Sequence, residues 1–167
     1  IGGKHNWPLK GWADDKGIRF DAVENKKGFF KVTVGKDVLP GPHLVRFYDA
    51  NGTAPPRVFY VSKAPDVPEK EPNNEMLEAQ SVTNLPAVVQ GKLGTGGDVD
   101  AYQFKLKAGQ TLVAQLDAYT AGVSMDALLM LRDTRGTKLM FNHDAHSLDP
   151  RLVWQCDRDG DYILQVA

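Results

Sequence analysis

Ala101-Tyr102-Gln103-Phe104-Lys105-Leu106-Lys107, the break Ala108-Gly109-Gln110, then Thr111-Leu112-Val113-Ala114-Gln115-Leu116-Asp117 place apolar and polar side chains at alternate positions on either side of a glycine-containing turn. Tyr102, Phe104 and Leu106 share one face and Gln103, Lys105 and Lys107 the other; after the break Leu112, Ala114 and Leu116 oppose Val113, Gln115 and Asp117. A period of two predicts strands with one buried and one wet face. Turn chemistry recurs at Asp49-Ala50-Asn51-Gly52, Asp133-Thr134-Arg135-Gly136 and Asp157-Arg158-Asp159-Gly160, separating runs of strand length. Successive hairpins are the expectation. Helix is confined to a short candidate from Asn74 to Ser81, with Asn as its cap.

Upstream, Ile18 to Val23, Phe29 to Val34, His43 to Tyr48 and Arg57 to Val61 read as four further strands. Between Ser62 and Asn74, Pro65, Pro68 and Pro72 alternate with charged residues, a composition that extends the backbone and builds no core. The fold class is therefore all-β: two β-sandwich-like units over 1–62 and 69–167, joined by a proline-rich linker over 63–68. Four strands are few for a sandwich, and the last strand, Tyr162 to Val166, has no hairpin partner following it. The first unit is expected to be incomplete at its N-terminus and the second to lack its last strand, as in a fragment of a longer polypeptide.

Composition narrows the function. The 167 residues are 42% hydrophobic and 25% charged, ordinary for a globular chain, and 20 basic against 21 acidic residues leave a net charge of −1. No strong field draws nucleic acid, and no apolar run reaches the roughly 18 residues of a membrane helix, so neither nucleic-acid binding nor membrane insertion is expected. The charge is uneven: residues 1–68 hold 11 Lys and Arg against 7 acids, residues 69–167 hold 9 against 14. The second half is where a cation is to be sought. The lone cysteine, Cys156, excludes an internal disulfide; alternating with Leu152 and Trp154, it reads as a buried, inert thiol.

From Glu69 to Ala167, Glu71-Pro72-Asn73-Asn74, Gly97-Asp98-Val99-Asp100-Ala101-Tyr102-Gln103-Phe104, Ala108-Gly109-Gln110, Met125-Asp126, Asp133-x-x-Gly136, Asn142-His143-Asp144 and Gly160-Asp161-Tyr162 occur in an order that resembles the bacterial pre-peptidase C-terminal domain. That family is a β-sandwich module appended to secreted proteases and other extracytoplasmic proteins. In the first half, Phe30-Lys31-Val32-Thr33-Val34, Pro40-Gly41-Pro42-His43-Leu44-Val45-Arg46, Asn51-Gly52 and Arg57-Val58-Phe59-Tyr60-Val61 resemble the later strands of an immunoglobulin-like sandwich of the IPT/TIG type. That resemblance implies a scaffold or binding module and carries no catalytic residues.

Candidate chemistry centres on acids. Around Pro72 the chain must be extended, so Glu69, Glu71 and Asn73 point together, and Asp98 and Asp100 do so before the Tyr102 strand. Side by side, the two segments bring oxygen ligands and negative charge together in the manner of a calcium site, which takes six to eight oxygens. Calcium-binding members of the resembled family use acidic and amide residues in matching positions, which here are Glu69, Glu71, Asn73, Asn74, Asp98 and Asp100. The plain alternative is that Asn73 and Asn74 cap the short helical turn while the acids form a solvated face.

His143 and His146 could ligate zinc with Asp144 or Asp149 only on a helix, and the neighbours read as a solvated loop. The four serines, Ser62, Ser81, Ser124 and Ser147, lie in no nucleophile-elbow context, and Gly91 to Gly97 lacks phosphate-loop spacing. Trp7, Trp12, Phe29, Phe30, Tyr48 and Tyr60 could form an aromatic platform, core packing being the reading for most; adjacent Phe29 and Phe30 must face opposite ways. The resulting expectation is a non-catalytic accessory binding or spacer module of a secreted, periplasmic or cell-envelope protein. Its partners would be other domains of the parent chain and an extracellular protein or polysaccharide. The rival is a fragment of an extracellular hydrolase whose active site lies in missing sequence.

Overall fold

The computed structural model describes residues 6–94 and 96–167. The chain is all-β, with a single 3-10 turn, Met76–Glu78, among the described residues, and it divides into two compact units, Ile1–Lys63 and Ala64–Ala167. No helix among the described residues is long and apolar enough to cross a membrane.

The first unit contains β1 (Lys10–Ala13), β2 (Ile18–Ala22), β3 (Phe30–Val34), β4 (Gly41–Asp49), β5 (Gly52–Thr53) and β6 (Arg57–Val61). β4 is the central strand, antiparallel to β1 on one edge and to β6 and β5 on the other, while β2 and β3 form a separate hairpin. An aromatic cluster fills the interior: Phe20 meets Phe30, Phe47 and Phe59 edge-on at centroid distances of 6.3, 5.2 and 5.6 Å, and Trp7 meets Phe30 at 5.2 Å. T-shaped contacts suit the ring quadrupoles. β1 escapes sequence reading because it is short and carries Gly11, yet that glycine is what admits Phe20: a Cβ at position 11 would lie 2.5 Å from the Phe20 Cβ. Phe30 turns inward and Phe29 remains exposed, as their adjacency requires. Of the platform candidates, Trp7 and Phe30 are core-packed, whereas Trp12, Tyr48 and Tyr60 are exposed.

The second unit contains β7 (Asp66–Pro68), β8 (Gln80–Ser81), β9 (Val88–Gln90), β10 (Asp100–Leu106), β11 (Thr111–Gln115), β12 (Leu129–Asp133), β13 (Lys138–Asn142), β14 (Arg151–Gln155) and β15 (Gly160–Val166). A five-stranded sheet runs β13-β12-β15-β10-β8, and β11 pairs β14 in a second layer. Tyr102, Phe104, Leu106, Leu129, Leu131 and Tyr162 from the first layer meet Leu112, Leu152 and Cys156 across the core, with Trp154 and Leu116 packed against it, part-buried. Period-two alternation in both layers makes this two-sided packing available.

Three details depart from the sequence reading. The turns at 107–110 and 157–160 do not close hairpins: β10 and β15 lie in the larger sheet, β11 and β14 in the smaller, so the chain changes layer at both points. The two corners brace each other, since Gly109 N–H donates to the Cys156 carbonyl, Cys156 N–H to that of Gln110, and Ala108 N–H to Asp159 Oδ1. Within the expected linker, Asp66–Pro68 is a strand parallel to β9, an edge position where proline's missing N–H is harmless. β15 pairs with β10 and β12 rather than with β14, the strand before it in sequence, so no hairpin joins the last two strands.

Two buried carboxylates hold loops. Asp133 (4% exposed) accepts the N–H groups of Arg135 and Thr137 and ion-pairs with Arg135 and Arg158; burial opposes ionisation, but these bonds hold its pKa down at about 2. Asp149 (2% exposed) accepts N–H bonds from Ala118 (2.9 Å), Tyr119 (2.7 Å) and Thr120 (2.8 Å).

Candidate functional site

The segment leading out of β7 and the one entering β10 run together at one end of the second unit. There the side chains of Glu71, Asp98 and Asp100 converge, with one carboxylate oxygen of each within 4.8 Å of the others. Among the described residues this is the group of three or more acids, histidines or cysteines so placed. All its donors are oxygens, which suits a hard cation and gives zinc or copper no preference.

Asp98 is fixed on both sides. Its Oδ1 accepts N–H bonds from the Asn74 side chain (2.9 Å) and Val99 (3.1 Å), and its Oδ2 accepts the Gly94 N–H. Glu71 Oε2 accepts the N–H of Asn73 at 3.0 Å, a local bond across Pro72 that aims the carboxylate back over the segment. Asn73 is fully buried; its carbonyl receives the Ala101 N–H at 2.8 Å, which ties the incoming segment to β10. Neither its side-chain Oδ1 nor its Nδ2 has a hydrogen-bond partner, and Asp100 Oδ1, also buried, has none. Buried polar atoms are rarely left so, because desolvation without a partner costs on the order of 1–3 kcal/mol each. A cation beside the triad is the kind of ligand that would satisfy the two oxygens, so the residues present fit a calcium ion.

Glu69 plays a different part from the other acids. Its Oε1 accepts the Tyr102 hydroxyl and its Oε2 the Lys92 N–H, each at 2.8 Å. Gly91 makes room for it, since a Cβ there would stand 2.6 Å from Glu69 Oε1. Burial foremost, then a hydrogen bond with Glu69 and the charges of Glu69, Asp98 and Glu71, pushes the Asp100 carboxyl up to about 7. Burial works against Glu69 as well, but its bonds with Asp100, Lys92 and Tyr102 outweigh it and hold this carboxylate below its ordinary value. Tyr102, desolvated and facing both acids, is raised far above the usual phenol.

The structure thus places Glu71, Asp98 and Asp100 together, sets Asn73 buried beside Asp100's strand, aims the Asn74 amide at Asp98, and ties Glu69 to Tyr102 and Lys92. Asn74 does not cap a helix: the 3-10 turn begins after Glu75, whose side chain makes no cap bond. Sequence reading missed the backbone donors of Lys92 and Gly94 and the Tyr102 hydroxyl; the glycines at 91 and 94 were their visible signal. Thr95, within the glycine-rich stretch, lies outside the described residues. Elsewhere, His143 pairs with Asp144 and stacks on Phe141, while His146 bridges Asp149 through backbone, and the two histidines form no metal-ligand group.

No protein-family model matches the chain. It is similar to a probable subtilase-type serine protease of Deinococcus radiodurans, at 37% identity over 123 residues. The match covers 68% of this chain and 16% of that protein.

Proposed function

We propose that the chain is a non-catalytic accessory segment of a larger secreted or envelope-associated bacterial protein of the subtilase-protease kind. On this reading its second unit is a calcium-stabilised module of the pre-peptidase C-terminal type and its first an immunoglobulin-like spacer or binding module. Its partners are then other domains of the parent chain and an extracellular protein or polysaccharide. The match to a limited stretch of a protease supports the accessory role, and the motifs from Glu71 to Tyr162 support the module type.

The observation that carries the calcium reading is the convergence of Glu71, Asp98 and Asp100 beside buried oxygens of Asn73 and Asp100 that lack partners. Glu71, Asp98 and Asp100 would ligate directly with Asn73 Oδ1; Glu69 and Asn74 would position them. The ion would neutralise mutually repelling carboxylates and fasten the segment after β7 to the start of β10.

Titration calorimetry and thermal unfolding of the chain with calcium chloride test this. Binding should be accompanied by stabilisation of about 2.7 kcal/mol at a hundredfold excess over Kd. Glu71→Ala and Asp98→Ala should remove the increment, and Asp157→Asn, at an exposed corner, should keep it. Absence of binding at millimolar calcium, or an increment that survives both alanine variants, refutes the site. Peptide-hydrolysis assays address the accessory role separately: turnover by this chain would overturn it, whatever calcium does.

A further inference from the structure

In the first unit His43, on β4, sits between two groups that accept hydrogen bonds and donate none. Its Nδ1 lies 3.0 Å from Asp14 Oδ1 and its Nε2 2.9 Å from the Leu39 carbonyl oxygen. A neutral imidazole has one N–H and an imidazolium two. Both contacts are therefore hydrogen bonds only when the ring is doubly protonated; in the neutral ring one nitrogen lone pair must confront an oxygen lone pair. The side chain is 12% exposed, so water does little to relieve that conflict.

The two acceptors differ in how firmly they are held. Asp14 is locked to β4: its Oδ2 accepts the Leu44 N–H at 2.9 Å and its own N–H donates to the Leu44 carbonyl at 3.0 Å. Leu39 belongs to the connection between β3 and β4, and its side chain is exposed. Just beyond it, Gly41, the first residue of β4 and paired with Val61, has φ +134° between Pro40 and Pro42, a conformation that glycine adopts without strain, so the sheet begins where the connection ends. An open groove lined by Asp14, Asp15, Leu39, Pro40 and His43 lies over the connection.

We propose that the connection at residues 35–40 is a proton-operated clasp, closed by the Leu39 carbonyl on His43 Nε2–H while the ring carries both protons and released when it loses one. The anionic Asp14 makes the stronger, charge-assisted bond and retains Nδ1–H, so Nε2–H is the proton that leaves and Leu39 is the contact that breaks. The charged groups acting on the ring are Asp14 and Asp15, both from the turn after β1 and both favouring the cation. The Leu39 bond first, then that of Asp14, outweighs burial and raises the ring above its ordinary 6.5. The clasp's contribution to stability is thus complete below 6.5 and lost as pH rises through the elevated folded-state value.

Heteronuclear NMR of the whole chain tests the clasp. His43 should titrate above 6.5, its neutral form should be the Nδ1–H tautomer, and the Leu39 carbonyl shift and amide exchange across residues 35–40 should follow the same midpoint. Asp14→Asn should lower the proton affinity of His43 roughly tenfold. His43→Gln should abolish the pH response of the loop. A midpoint at or below 6.5, an Nε2–H neutral tautomer, a Leu39 carbonyl that does not follow the ring, or a loop response that persists in His43→Gln would overturn the proposal.

Discussion

Replacing Asp149 by alanine removes the common acceptor of three consecutive backbone N–H groups, those of Ala118, Tyr119 and Thr120, and leaves the loop after β11 held by its own turn bonds, Gly122 N–H to the Tyr119 carbonyl and Val123 N–H to that of Ala118. Hydrogen bonds to a charged group contribute about 1.5–3 kcal/mol each, and a buried donor left orphaned costs about 1–3 kcal/mol. Ala118 is buried, whereas Tyr119 and Thr120 can recover some solvation from water, so a loss of about 3–5 kcal/mol follows rather than the full sum. Against a typical domain stability of about 5–15 kcal/mol this is severe, and for a domain of roughly 100 residues it lowers Tm by more than about 12 °C.

Asp149→Asn separates charge from shape. The amide oxygen keeps one side of the clasp, but its NH2 faces a donor, so about half the loss is expected. Burial raises the Asp149 pKa, yet the Thr120 bonds and those of Ala118 and Tyr119 win and hold it below 3.8. Its contribution is therefore fully present above 3.8 and lost as pH falls through the lower folded-state value, and both variants should flatten that acid limb. Calorimetry gives the stability, and amide exchange at residues 118–120 localises it. An alanine variant within about 1 kcal/mol of the parent, or unchanged protection at those amides, would refute the clasp as a determinant of stability.

The remaining expectations concern each unit separately. Gly11→Ala should destabilise the first unit by about 1–3 kcal/mol, because the new Cβ meets the Phe20 Cβ at 2.5 Å inside a packed aromatic cluster; circular dichroism in the aromatic region and a denaturant melt will report it. Cys156, 2% exposed, with Sγ 3.0 Å from the Arg158 carbonyl and 3.3 Å from the Tyr162 hydroxyl, should react with a thiol reagent only in denaturant; rapid labelling of the native chain would contradict the packing.

Strands were legible because alternation records burial directly. Tyr102, Phe104, Leu112, Leu131 and Tyr162 face the core as their periodicity requires. Pairing was not legible, because alternation says which face is wet and nothing about which neighbour is bonded. Asp133-Thr134-Arg135-Gly136 and Ala108-Gly109-Gln110 look alike as turn chemistry. The first closes the β12–β13 hairpin; the second carries the chain across to the opposite sheet, where its partner strand comes from some forty residues downstream. What distinguishes them is the brace between Gly109 and Cys156, a contact between two corners remote in sequence.

The same limit shaped the acidic site. Spacing by two placed Glu71 and Asp100 on usable faces, and their convergence with Asp98 followed once the two segments were neighbours. Spacing treats Glu69 and Glu71 alike, however, and the fold does not. Glu69 points at Tyr102 and at the Lys92 N–H, through space that exists because residue 91 is glycine, whereas Glu71 faces Asp98. A carboxylate with two strong donors already in place is held by them, and one whose neighbours are other acids calls for a cation or a proton. The division of labour between two like residues is therefore set by donors that carry no side-chain signature, namely a backbone N–H and a hydroxyl first read as core.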